Sequence, residues 1–92
     1  MKCKVGDYVI CREIQYPLES IKEFLTNNIG YVTYTCHGYC IVRFENIPEE
    51  FSCSFRCNDM NNHRSMDHNE ILHSSKNIED LKLIIITNKY NL

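Results

Sequence analysis

No stretch of this chain is apolar for long enough to span a bilayer. Its opening, Met1-Lys2-Cys3-Lys4, leads straight into a strand pattern without the apolar core of a secretory signal. The expectation is a soluble, cytoplasmic protein. Neither charge sign dominates either. Ten Lys and Arg against 12 Asp and Glu leave a formal charge of −2, so long-range attraction to nucleic acid or an anionic membrane is absent. Repeats and interdomain linkers are missing, and 92 residues make one domain, large enough for a modest core without obligatory disulfides. Alanine and tryptophan do not occur and glycine occurs three times, while Asn, Ile, Lys and Tyr are plentiful. That bias is the mark of an AT-rich coding sequence and bears on the source genome rather than on mechanism. A hydrophobic content of 43% with 24% charged residues excludes wholesale disorder.

The most informative stretch runs from Gly30 to Ile47, where two β-rich runs flank His37-Gly38. A two-residue loop there pairs Cys36 with Tyr39 and Val32 with Arg43, which splits the apolar residues between faces. An odd loop pairs Val32 with Phe44, Tyr34 with Val42 and Cys36 with Cys40. It collects Val32, Tyr34, Cys36, Cys40, Val42 and Phe44 on one face, with Thr33, Thr35, Ile41 and Arg43 opposite. A one-residue slip inverts a strand's faces, so the apolar pattern selects the odd loop, with Gly38 supplying a positive φ.

Before this hairpin, Lys4 to Asp7 reads as a lead-in turn and Tyr8 to Ile14 as a first strand with Val9 and Cys11 inward. Pro17 ends that strand. Ser20 and Glu23 have capping-box spacing, and Ile21, Phe24 and Leu25 form one apolar helical face, a short helix ending at Asn27-Asn28 and lying as a lid over one end of a small barrel-like β domain. After the hairpin, Phe51, Cys53, Phe55 and Cys57 alternate with polar residues as a half-buried strand would. Asn58 to Asn69 reads as a long polar loop, and Glu70 to His73 as a short closing strand. In the last segment Asn77 caps a short helical turn, and the alternation of Leu81, Leu83 and Ile85 with consecutive isoleucines favours a following strand.

The order Val5-Gly6-Asp7-x-Val9, an insertion, Gly30-x-Val32, a hairpin, Val42-Arg43-Phe44-Glu45 and a closing Glu70-Ile71 resembles the Src-homology-3-like small barrel, in the form shared by KOW-type and Tudor-like modules. More narrowly it resembles small barrel proteins encoded by large tailed phages. The resemblance covers about residues 4–73, with 74–92 as an extension. It implies a mainly β fold, a five-stranded, strongly bent antiparallel barrel with a short helix inserted between strands 1 and 2. It implies no activity, because the fold hosts RNA-binding, polymerase-associated, methyl-lysine-reading and structural members. If the chain is phage-encoded, its compartment is the host cytoplasm.

Six cysteines, Cys3, Cys11, Cys36, Cys40, Cys53 and Cys57, are many for this length. In a reducing cytosol they read as buried free thiols. Cys36, Cys40, Cys53 and Cys57, with His37, His63 or His68 nearby, form two Cys-x3-Cys pairs within the zinc-knuckle range. Against them, Cys53 and Cys57 lie roughly 13 Å apart on a regular strand, so the expectation is no metal and no cofactor. Cys36 and His37 lack a third, orienting group for nucleophilic catalysis, and paired carboxylates do not stand out. No enzyme is expected. His63, His68 and His73 recur every five residues, a spacing that fits neither a helix nor a strand face. Arg12, Arg43 and Arg56 with Tyr8, Tyr31 and Tyr39 are the materials of a nucleic-acid surface, diluted by Glu45, Glu49 and Glu50. The leading expectation is a non-enzymatic protein that binds another protein, such as a host protein, through Tyr31, Tyr39, Arg43 and Arg56. A nucleic-acid-binding barrel stands second and a Cys-ligated zinc module third.

Overall fold

The computed structural model describes residues 3–12, 19–57 and 59–90. Its strands are β1 (Tyr8–Cys11), β2 (Gly30–Thr35), β3 (Tyr39–Arg43), β4 (Arg56–Cys57), β5 (Met60–Asn61), β6 (His63–Asp67) and β7 (Ile71–Ser75), and its helices are α1 (Glu19–Asn27) and α2 (Ile78–Tyr90). Five strands form one antiparallel sheet in the order β6-β3-β2-β1-β7, and β4 pairs with β5 in a separate ribbon. The expected mainly β protein with a five-stranded antiparallel sheet and a helix between its first two strands is therefore present. A closed barrel is not, because the edge strands β6 and β7 are not paired with each other.

The sheet must nevertheless curl. β6 and β7 lie at opposite edges, yet only the 3-10 turn His68–Glu70 joins them. Four inter-strand spacings of a flat sheet separate its edges by about 19 Å. From Asp67 to Ile71 even a fully extended chain reaches only about 14 Å. Connectivity alone therefore brings the two edges towards each other.

The β2–β3 hairpin corrects the odd-loop expectation. At its tip the Cys36 N–H donates to the Tyr39 carbonyl at 3.0 Å, closing a two-residue loop at His37-Gly38. Thr35 then faces Cys40 and Tyr34 faces Ile41, but Val32 faces Val42 and Tyr31 faces Arg43, with the register shifting between Val32 and Tyr34. That bulge resolves the conflict between a favoured tight turn and the apolar pattern. Val32, Cys40, Val42 and Phe44 all reach the core, while Tyr34 is left 49% exposed. The positive φ expected at Gly38 is found at Gly6 instead (φ 94°), in the turn before β1.

Ile21, Phe24 and Leu25 of α1 are buried on the inner side of the sheet, as their spacing predicts. The helix begins at Glu19, so Ser20 lies inside it rather than capping it. Phe24 meets Phe44, Phe51 and Phe55 edge to face, with centroids 5.3–6.2 Å apart. Phe51 and Phe55 reach Phe24 from a 3-10 helix, Glu49–Ser54, and the residue after it, not from the expected strand. Pro48, Glu49 and Glu50 are helix-start residues, and Phe51 and Phe55 stand four apart as well as sharing a two-residue period. Cys53, expected inward, is exposed.

Two further expectations change. Within Asn58–Asn69, read as a loop, β5 and β6 form, and β6 pairs with β3 along its whole length. Met66 is the one fully buried side chain of β6, so the segment carries little apolar signal. Arg64 covers Phe55 at 5.4 Å and donates to the Ser54 carbonyl at 2.6 Å. The last segment is one helix, not a turn and a strand. Asn77 Oδ1 accepts from the Glu79 N–H at 3.0 Å, and Ile78, Leu81 and Ile85 recur at helical spacing, with Leu81 buried. The expected end of the first strand at Glu13-Ile14 and the break at Pro17 lie outside the described residues. No helix among the described residues is long and apolar enough to cross a membrane.

Candidate functional site

Tyr8, Tyr31 and Arg43 stand side by side on the outward face because Tyr8 pairs with Tyr31 and Tyr31 with Arg43 across three adjacent strands. The two tyrosine rings meet edge to face at 5.4 Å, and the Arg43 guanidinium lies 5.2 Å from the Tyr31 ring centroid. Such a cation over an aromatic face is held by the ring's quadrupole while its N–H fork stays available to an acceptor. α2 packs against β1 and β7, and its first residue, Ile78, borders the same region. Together with Ile29, Gly30 and Glu45 these residues line a groove of about 430 Å3. Its walls offer aromatic area, aliphatic area, one cation and one carboxylate.

Of the four residues expected to bind, Tyr31 and Arg43 share this groove. Tyr39 lies at the other end of β3, packed on Tyr34 with ring centroids 6.2 Å apart. The Cys36 thiol beside it raises the Tyr39 phenol above its ordinary value. Arg56 belongs to the β4–β5 ribbon and pairs with Asp59 at 3.7 Å. Arg12, added in the nucleic-acid reading, follows β1 and is exposed. Tyr8 was legible among the outward aromatics, but Ile78 was missed, because the segment that carries it was read as a short helical turn leading into a strand rather than as the continuous helix α2.

The cysteines gather elsewhere. The Cys-x3-Cys pairs weighed as zinc knuckles do not assemble among the described residues: Cys53 is exposed, whereas Cys40 is buried in the core. Among the described residues the one group with metal-ligand proximity is Cys3, Cys40 and His68, whose donor atoms lie within 4.8 Å of one another. Burial pushes the Cys40 thiol up to about 12, helped by its hydrogen bond with Cys3 and by the neighbouring Cys36 and Glu70. Burial likewise pushes Cys11 well above the ordinary thiol range, with Cys40 and Cys3 adding to it. As free thiols these groups are protonated and unreactive. His37 stays exposed at the hairpin tip. No protein-family model matches the chain, and neither a curated protein nor a solved structure matches it.

Proposed function

We propose that this chain is a non-enzymatic binding module, a small barrel of the Src-homology-3-like kind, that docks an extended segment of a protein partner in the Tyr8–Tyr31–Arg43 groove. The observation that carries the reading is the Arg43 guanidinium stacked on Tyr31 at the groove wall. Tyr and Arg are the residues enriched at binding hot spots, giving large, partly apolar area with directional hydrogen bonds. The segment that complements these walls carries a carboxylate for Arg43 and an apolar side chain for Ile29, Ile78 and the two rings. Tyr39 and Tyr34 extend the same outward face. The curled five-stranded sheet, with its helix after the first strand, supports the barrel kinship, and the sequence resemblance to phage barrels makes a host cytoplasmic protein the candidate partner.

Display of a random-peptide library against the folded protein tests this. Enriched peptides should place an acidic residue next to an apolar one, and Tyr31→Ala and Arg43→Ala should lose them while keeping the wild-type circular dichroism. Arg56→Ala should bind normally. The nucleic-acid reading uses the same Arg43, and salt separates the two. Neutralising several phosphates makes affinity fall steeply between roughly 50 and 200 mM salt. Peptides that bind both groove variants as well as wild type, or steep salt-dependent retention on DNA or RNA, would reject the reading.

A further inference from the structure

Cys3 precedes the turn into β1, Cys40 lies on β3, and His68 opens the 3-10 turn that joins the sheet's two edges. These segments are remote in sequence, yet their two sulfurs and an imidazole nitrogen converge within 4.8 Å. Both cysteines are buried, and His68 is half-buried.

The orientation of His68 adds a second, independent observation. Its Nε2 stands 2.7 Å from the Cys36 carbonyl oxygen. A carbonyl only accepts, so in the neutral ring Nε2 carries the proton and donates, leaving the lone pair on Nδ1. Nδ1 is buried and has no hydrogen-bond partner among the described residues. A native structure seldom leaves such an acceptor unpaired. A metal-bound histidine has this arrangement, one nitrogen donating to a backbone carbonyl and the other free to coordinate.

We infer that Cys3, Cys40 and His68 form a binding site for a borderline-soft divalent cation of the zinc type. Two sulfurs and one imidazole suit that class, and a hard cation such as magnesium or calcium would need oxygen donors instead. Three protein ligands leave one tetrahedral position for water. Coordination sends the two thiol protons to solvent and leaves both cysteines as thiolates. Once filled, the site clasps the N-terminal segment to the hairpin and to the edge-joining turn. It differs from the Cys-x3-Cys pairs in sharing only Cys40 with them, and it does not involve the Tyr31–Arg43 groove.

Cobalt(II) added to the reduced, full-length protein under argon is the probe, because tetrahedral thiolate coordination gives visible ligand-field and near-ultraviolet charge-transfer absorption. The wild type should take up one cobalt per chain with those bands, and zinc should displace it. Cys40→Ser and His68→Gln should weaken uptake by about tenfold or more, since losing a ligand costs at least as much as losing an outer-shell partner. Cys53→Ser should match wild type. Should Cys40→Ser fail to fold, Cys3→Ser in the N-terminal coil provides the same comparison. Absence of the bands in folded wild type overturns the inference whatever the variants do. So do bands that survive in both cysteine variants, or a Cys3–Cys40 disulfide in freshly isolated protein that persists under the reductant and blocks uptake.

Discussion

Asp7 shows how one side chain ties the entry turn to the sheet. One of its carboxylate oxygens accepts from the Lys4 N–H at 2.8 Å and the other faces the Lys76 ammonium at 2.9 Å. Burial by itself raises the carboxyl, but the Lys76 hydrogen bond, the Lys4 amide and the two lysine charges outweigh it and hold it below the usual range. A folded-state value below the unfolded one, about 3.9, gives a contribution fully present above that pH and lost as pH falls through the folded value. Asp7→Asn should therefore cost about 1–2 kcal/mol at neutral pH. Its urea midpoint should approach that of wild type in acid. Lys76 is mostly exposed, so Lys76→Met should cost less than about 1 kcal/mol. Gly30 is constrained for a different reason. A Cβ there would overlap Val42 and stand 2.9 Å from the Phe44 ring. Gly30→Ala should lose about 1–3 kcal/mol, whereas Gly38→Ala, with open space around it, should stay within about 0.5. Equal losses in thermal melts of the two variants would contradict this packing.

At the scale of elements, the β2–β3 bulge decides which residues carry the fold. The odd-loop register made Tyr34 internal and Ile41 a surface residue. Ile41 is in fact 4% exposed, and Val42 is fully buried. Both Ile41→Asp and Val42→Asp should cost several kcal/mol, because each buries an unpaired carboxylate. Tyr34→Asp should be mild, within about 1 kcal/mol. A severe loss at Tyr34 with a mild one at Ile41 would restore the odd loop. α2 depends on local chemistry that outweighs its β-branched composition. Asn77→Ala should remove about 1 kcal/mol through the lost cap, and Leu81→Ala about 2–4 through the cavity. Both losses are read from denaturant midpoints. Leu83→Glu should be neutral, since that side chain is 64% exposed. Strong alternating patterns such as Val9, Cys11 and Val32, and the α1 face of Ile21, Phe24 and Leu25, were legible in the sequence. A bulge was not, because it trades one strand's period against a turn's geometry. Nor was the helix through Ile84-Ile85-Ile86, where capping at Asn77 and the docking of Leu81 override intrinsic preference.

For the whole molecule, the decisive element was the one that looked least like structure. β6 supplies the fourth strand of the sheet from an Asn- and His-rich segment, and the turn after it forces the sheet to curl. The outward facing of Tyr31 and of Arg43 was readable from alternation, but their direct pairing was not, because it depends on the bulge between Val32 and Tyr34. The approach of Ile78 was not, because it depends on α2 being a helix. The convergence of Cys3, Cys40 and His68 was beyond any spacing rule, because each residue comes from a different segment and tertiary folding alone joins them. The resulting architecture separates two chemistries. The groove lies on the outward sheet face, while Cys40 belongs to the inner core.

The most direct test of the groove as the binding site is a nitrogen-15 proton correlation spectrum recorded while a display-selected peptide is titrated into the labelled protein. The largest shifts should fall at the amides of Tyr8, Tyr31, Arg43 and Ile78, with those of Arg56 and Cys57 unmoved. Shifts centred on the β4–β5 ribbon, with the groove amides unchanged at saturation, would contradict it.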